Sequence, residues 1–255
     1  MARTHCFRTD WNRLLKNYPI YLAVLGVALS LLFSLESYAF QEGMVNCNVV
    51  DTYFRAVNSQ GQMITYVFCA FPFAAVFCED LEHRYLRCSI GRTSVKKYVL
   101  SKAVTIYACS VLVMILGTVL FLIYVSIQTG WTSDSFQKDF YVAGMYRSLI
   151  LEEHYAVYMI LCALQRGMLA GALSLFASFV SLFISNKMVT FVTPVLAYQI
   201  LQQFAGNGWA SVQLFDPAIW SFDSDFQYFL LVSGVCIIPS VLFTGGIYAK
   251  IKARL

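Results

Sequence analysis

The sequence predicts an all-α polytopic membrane protein with six transmembrane helices, and three observations predict it. Apolar and aromatic residues make up 59% of the 255 residues and charged ones 13%, against roughly 45–50% and about 25% in an ordinary soluble domain. The apolar residues gather into long runs separated by the clusters of charge, and the basic residues fall on alternate connecting segments. This composition, with 21 Phe, 16 Tyr and 4 Trp, excludes disordered, fibrous and nucleic-acid-binding classes.

A membrane helix needs about 20 mostly apolar residues, because each residue rises ~1.5 Å across a hydrocarbon core ~30 Å thick. Six stretches qualify, at 18–40, 63–78, 103–127, 158–184, 188–204 and 226–249. The start of the fourth lies between Tyr155 and Arg166. Pro72 and Pro194 fall in the two short stretches, and Pro239 predicts a kink in the last. Cytoplasmic loops retain Lys and Arg. With both termini inside, the inner segments hold 14 of the 18 basic residues, and nine of the 14 acidic residues fall outside. The expected location is the plasma membrane, multi-pass. The first run is longer than a signal peptide's core of ~7–15 residues and is expected to remain as an anchor.

Ahead of it, Phe7, Trp11, Leu14 and Leu15 follow helical spacing while Arg8, Asn12, Arg13 and Lys16 occupy other sectors. That pattern fits a helix at 1–17 lying in the inner interface; an unstructured basic anchor is the alternative. Of the eight cysteines only Cys47 falls in an outer loop, which argues against a disulfide framework. No glycine is followed by lysine, so the phosphate-cradling G-x-x-x-x-G-K-[ST] loop is missing, as are H-E-x-x-H, C-x-x-C and G-x-S-x-G. His5, His83 and His154 are dispersed. The chain is expected to be no enzyme by itself and to hold no cofactor or metal.

The inner segment 79–102 carries the most information. Glu79, Asp80 and Glu82 open it, basic residues including Arg84 and Arg92 follow, and Gly91 breaks it. Thr93 or Ser94 is placed to cap a helical piece running through Lys96, Lys97 and Tyr98 to Lys102 and the third span. Such an elbow suits docking on another protein, and equally a solvated loop. In span four Gly167 and Gly171 form G-x-x-x-G, a spacing that lets helix backbones approach. A charge at mid-bilayer costs ~2.5–3.5 kcal/mol on insertion scales. Arg166 therefore either sits deep and pairs with Glu36, Glu152 or Glu153, or begins the span and snorkels to the outer interface. Gln199, Gln202 and Gln203 near the outer end of span five line a pathway or bond to neighbouring helices. Residues 205–225, broken by Gly206, Gly208 and Pro217 yet rich in aromatics such as Trp209, Trp220 and Phe222, read as a partly re-entrant outer segment.

An acidic residue ending span two, a short helix, a turn and a Ser/Lys-Lys-Tyr-x-x-x-Lys run into span three resemble the permease subunits of ABC-2 type transporters. In that resemblance Glu79 matches the family's glutamate, Ser94 the turn serine, Tyr98 the aromatic and Lys102 the lysine. The family's proline is absent near Arg92 or Thr93, and Val95 stands where arginine is usual. The resemblance covers essentially the whole chain and implies a cytoplasmic coupling helix between spans two and three. It also implies a separate ABC ATPase that binds ATP and Mg, and a second copy or a related permease completing a dimer.

The expected function is then the permease subunit of an ATP-driven exporter, moving a hydrophobic or amphipathic cargo, peptide or lipid-like. The 79–102 elbow, with Glu79, Asp80, Glu82, Arg84, Arg92, Ser94, Lys96, Lys97, Tyr98 and Lys102, would take the motor's stroke, and Glu36, Arg166, Gln199 and Gln202 would line the path. An ion-gradient-driven transporter or channel, or a non-transporting scaffold, fits the same topology.

Overall fold

The computed structural model describes residues 18–42, 48–59, 61–82, 94–131, 144–184, 186–205 and 213–253. No strand occurs among them. The helices are α1 (Tyr18–Glu42), α2 (Val49–Asn58), α3 (Gln62–Ala70), α4 (Val76–Glu82), α5 (Val95–Gln128), α6 (Arg147–Leu151), α7 (Tyr155–Ser181), α8 (Lys187–Ala205) and α9 (Asp225–Ala253), with a 3₁₀ turn at Gln213–Phe215. Among the described residues four helices are long and apolar enough to cross a membrane: α1 over Tyr18–Leu35, α5, α7 and α9. The expected interfacial helix at 1–17 and the charged stretch 83–93, with Arg84 and Arg92, lie outside the described residues.

Helix α7 is the axis of the bundle, touching α5, α9, α8 and α3. In its apolar window 78% of residues are buried, against 22% in α9. Small residues on α7 make this centrality possible. A Cβ on Gly167 would lie 3.2 Å from the Val111 Cα, and one on Gly171 2.6 Å from the Tyr107 ring. The two glycines thus seat α5 against α7, replacing a hydrophobic drive that is weak in lipid with close packing.

The stretch 63–78, expected as span two, is formed as two helices. Pro72 has no N–H to give and its ring collides with the carbonyl four residues back, so α3 ends at Ala70 and turns fill 71–75 before α4 begins. Carbonyls at the break are taken up by serines of neighbouring helices. Ser110 Oγ of α5 donates to Cys69 O at 3.0 Å and Ser178 Oγ of α7 to Ala74 O at 2.9 Å, the compensation that broken helices in lipid require. Pro194 and Pro239, by contrast, sit inside continuous α8 and α9.

Helix α5 extends through 34 residues, about 51 Å at ~1.5 Å per residue, far more than the hydrocarbon needs. The basic run from Val95 to Lys102 is the opening of α5 itself. Ser94 stands at its N-cap in extended backbone, but its hydroxyl makes no capping bond.

At the opposite end α2 closes the bundle. Asn48 accepts from Asp51 N at 2.8 Å, an N-cap, and Val49, Val50, Tyr53, Phe54 and Val57 turn one apolar face inward. The segment from Leu214 to Tyr228 packs beside it. Met145 N donates to Pro217 O at 2.8 Å and Tyr228 Oη to Leu214 O at 2.7 Å. A Cβ on Gly144 would come within 2.5 Å of the same Pro217 carbonyl, so this crossing requires glycine.

Candidate functional site: two polar junctions in an apolar bundle

The first junction joins α4 to α5. Lys102 Nζ lies 3.3 Å from Asp80 Oδ2, with side chains only 7% and 13% exposed, and Tyr98 Oη donates to the same carboxylate oxygen. Tyr98 and Lys102 reach one acceptor because four residues bring them onto one face of α5. The ammonium also lies over the Phe73 ring (5.4 Å) and the Tyr98 ring (5.8 Å), and Phe77 meets Tyr98 edge-on. A cation enclosed by a carboxylate and two ring faces is well compensated in a dry site.

Glu79 turns the other way. It accepts from Lys187 Nζ of α8 at 3.2 Å in an exposed pair, which joins the start of α8 to the same end of α4. Glu82 and Lys97 are exposed, and exposed Lys96 lies 6.0 Å from the ring centre of Tyr248 on α9. The residues at the ends of 79–102 thus divide: Asp80, Tyr98 and Lys102 form one buried knot, Glu79 a surface link, and Glu82, Lys96 and Lys97 remain outside it.

The second junction surrounds Arg166. Helix α7 begins at Tyr155, the earlier of the two expected bounds, so Arg166 falls 11 residues inside it and is 4% exposed. Snorkelling is thereby overturned. Glu152 and Glu153 are exposed, and Glu36 lies on α1 outside the described side chains. The guanidinium instead meets the C-terminus of α2, donating from Nη1 to Val57 O at 3.2 Å, where the helix dipole places negative charge. Gln62, its amide turned as its surroundings dictate, accepts from the same Nη1 at 2.7 Å and donates to Val57 O and Tyr198 Oη. The carboxylate of Asp216 acts on Arg166 electrostatically; it accepts from Asn58 Nδ2 (3.1 Å) and Ala218 N (3.1 Å). Arg166 Nε has no partner among the described residues.

Gln165, next on α7, donates to Tyr146 Oη at 2.7 Å, and Tyr146 N donates to Asp225 Oδ1 at 2.7 Å. These contacts hold Tyr146 in left-handed backbone (φ 57°), unusual for a bulky residue. Burial raises the pKa of Tyr53 and of Tyr146, so both stay neutral hydroxyls. Gln199 and Gln202 lie on the exposed side of α8, Gln199 reaching Met63 Sδ at 3.5 Å, and do not join Arg166. The residues that do are scattered in sequence, Gln62 just before the second apolar run, Tyr198 within the fifth and Asp216 in the segment 205–225, and no spacing joins them.

Among the described residues no group of three His, Cys, Asp or Glu is placed to hold a metal ion. Fold and junctions together define a helical membrane protein. Comparison with protein-family models, with curated proteins and with solved structures returns no match.

Proposed function

We propose that the chain is the membrane-spanning subunit of an ATP-driven exporter, with six spans, both termini cytoplasmic, and a separate ATPase docking on the 79–102 segment in a complex of two permeases. The observation that carries this reading is the knot of Asp80, Tyr98 and Lys102. It fastens the end of α4 to the start of a 34-residue α5. A push on the intervening segment then moves both helices as one lever instead of being absorbed as loop motion. The resemblance supplies the motor, and the apolar, aromatic character of the bundle favours a hydrophobic or amphipathic cargo.

The test is to co-express the chain with its ATPase, purify the complex, and measure cargo-stimulated ATP turnover in vesicles. Asp80→Lys alone and Lys102→Asp alone are expected to lose most of the stimulation, each removing one partner of a buried pair at a cost of about 3 kcal/mol. The double exchange is expected to recover much of it. No stable complex with any ATPase, or stimulation unchanged by the single variants, would overturn the reading.

A further inference from the structure

A groove of about 560 Å³ runs between α5 and α9, its wall built by residues such as Val99, Ala103, Val104, Ala108, Ile237 and Val241. From Lys96 to Ala108 the wall runs along α5 for 12 residue steps, a rise of ~18 Å, close to the ~15 Å depth of one leaflet. The hydroxyls of the helices along it are not presented to the groove: Ser240 Oγ donates to Cys236 O and Thr244 Oγ1 to Ser240 O, both at 2.7 Å within α9, and Tyr107 Oη is buried. The lining is therefore apolar throughout, except at one end. There Lys96, the one ionisable cation in the lining, lies over the Tyr248 ring. Of the other charges near this end in sequence, Lys250 lies over the Phe183 ring, and Asp80 and Glu79 are engaged by Lys102 and Lys187.

We infer that this groove binds one anionic phospholipid of the leaflet on the Lys96 side, an acyl chain between α5 and α9 and the phosphate on the Lys96 ammonium. Length and charge both select this occupant. An apolar slot one leaflet deep suits an acyl chain, and a cation at its headgroup end with no carboxylate in the lining suits an anion. The α9 face bordering the groove, with Ile237, Ile238, Val241 and Leu242 exposed, then continues into bulk lipid. The site stands whether or not an ATPase docks below.

The experiment is native mass spectrometry of the full chain, delipidated in detergent and offered phosphatidylglycerol or phosphatidylcholine of equal chain length. The wild type is expected to retain phosphatidylglycerol about fivefold better, in line with one cation near an anionic surface. Lys96→Gln is expected to abolish the preference, whereas Lys97→Gln, which changes a neighbouring charge outside the lining, keeps it. Val104→Trp, which fills the slot, is expected to lower retention of both lipids. Equal retention of the two lipids by the wild type, a preference that survives Lys96→Gln, or displacement of phosphatidylglycerol by glycerol phosphate lacking acyl chains would overturn the assignment. So would an α9–α9 contact between two copies that closes the groove and excludes lipid.

Discussion

The guanidinium at position 166 is enclosed by groups that each neutralise part of its charge: the Val57 carbonyl, the Gln62 amide oxygen and, through space, Asp216. Its role is to tie α7 to the end of α2 and to α3, so a loss of stability is the first expected consequence of removing it. Arg166→Met removes the cation that balances the buried Asp216 carboxylate and the donor that the Gln62 amide oxygen accepts from, and is expected to cost about 3 kcal/mol. Arg166→Lys, which keeps the charge without the planar fork, is expected to lose less. Thermal unfolding of the purified protein in detergent checks both. A Met variant as stable as the wild type would show that the charge is not structural. Depth was the one property of Arg166 that its own neighbourhood in sequence left open. Its neighbours, Ala163, Leu164, Gln165, Gly167 and Met168, are the same whether the helix starts before or at that point, and only the start at Tyr155 settles it.

At the scale of elements, the four long apolar helices follow from length and hydropathy alone, since nothing shorter satisfies the backbone across hydrocarbon. The break in span two was marked by Pro72, yet its consequence was not: the turns at 71–75 reset the helical phase of α4, so Asp80, not Glu79, faces Tyr98 and Lys102. A proline signals an interruption but leaves open how many residues the turn consumes. Helix α2 carries no span signal in the sequence, because its ten residues are too few to cross and lie between two apolar runs. The serine pairings at the break make a measurable claim. Ser110→Ala and Ser178→Ala each remove a donor from a carbonyl beside the Pro72 turn and are expected to destabilise by about 1 kcal/mol. Denaturant titration of the two single variants and the double reads this. Alanine variants indistinguishable from the wild type would mean the turn satisfies its own carbonyls.

For the whole molecule, burial is distributed unevenly, with α7 enclosed and α9 mostly facing outward. Apolar side chains such as Val241 and Leu242, 64% and 68% exposed, are stable only against lipid or another apolar surface. The polar junctions are separate: α4, α5 and α8 meet at Asp80, Lys102, Glu79 and Lys187, while α2, α3 and α7 meet at Arg166, near the middle of α7. The proposed topology puts the basic residues concentrated in 79–102 and at both termini on the cytoplasmic side, and the proposed lever works only if that side faces a motor. Native cysteines give the most direct measurement. Single-cysteine variants retaining Cys88 or Cys47 are exposed to a membrane-impermeant maleimide on intact cells and again after permeabilisation. The account predicts that Cys47 is labelled at once and Cys88 only after permeabilisation; labelling of Cys88 on intact cells would put the 79–102 segment outside, beyond reach of any ATPase, and contradict it.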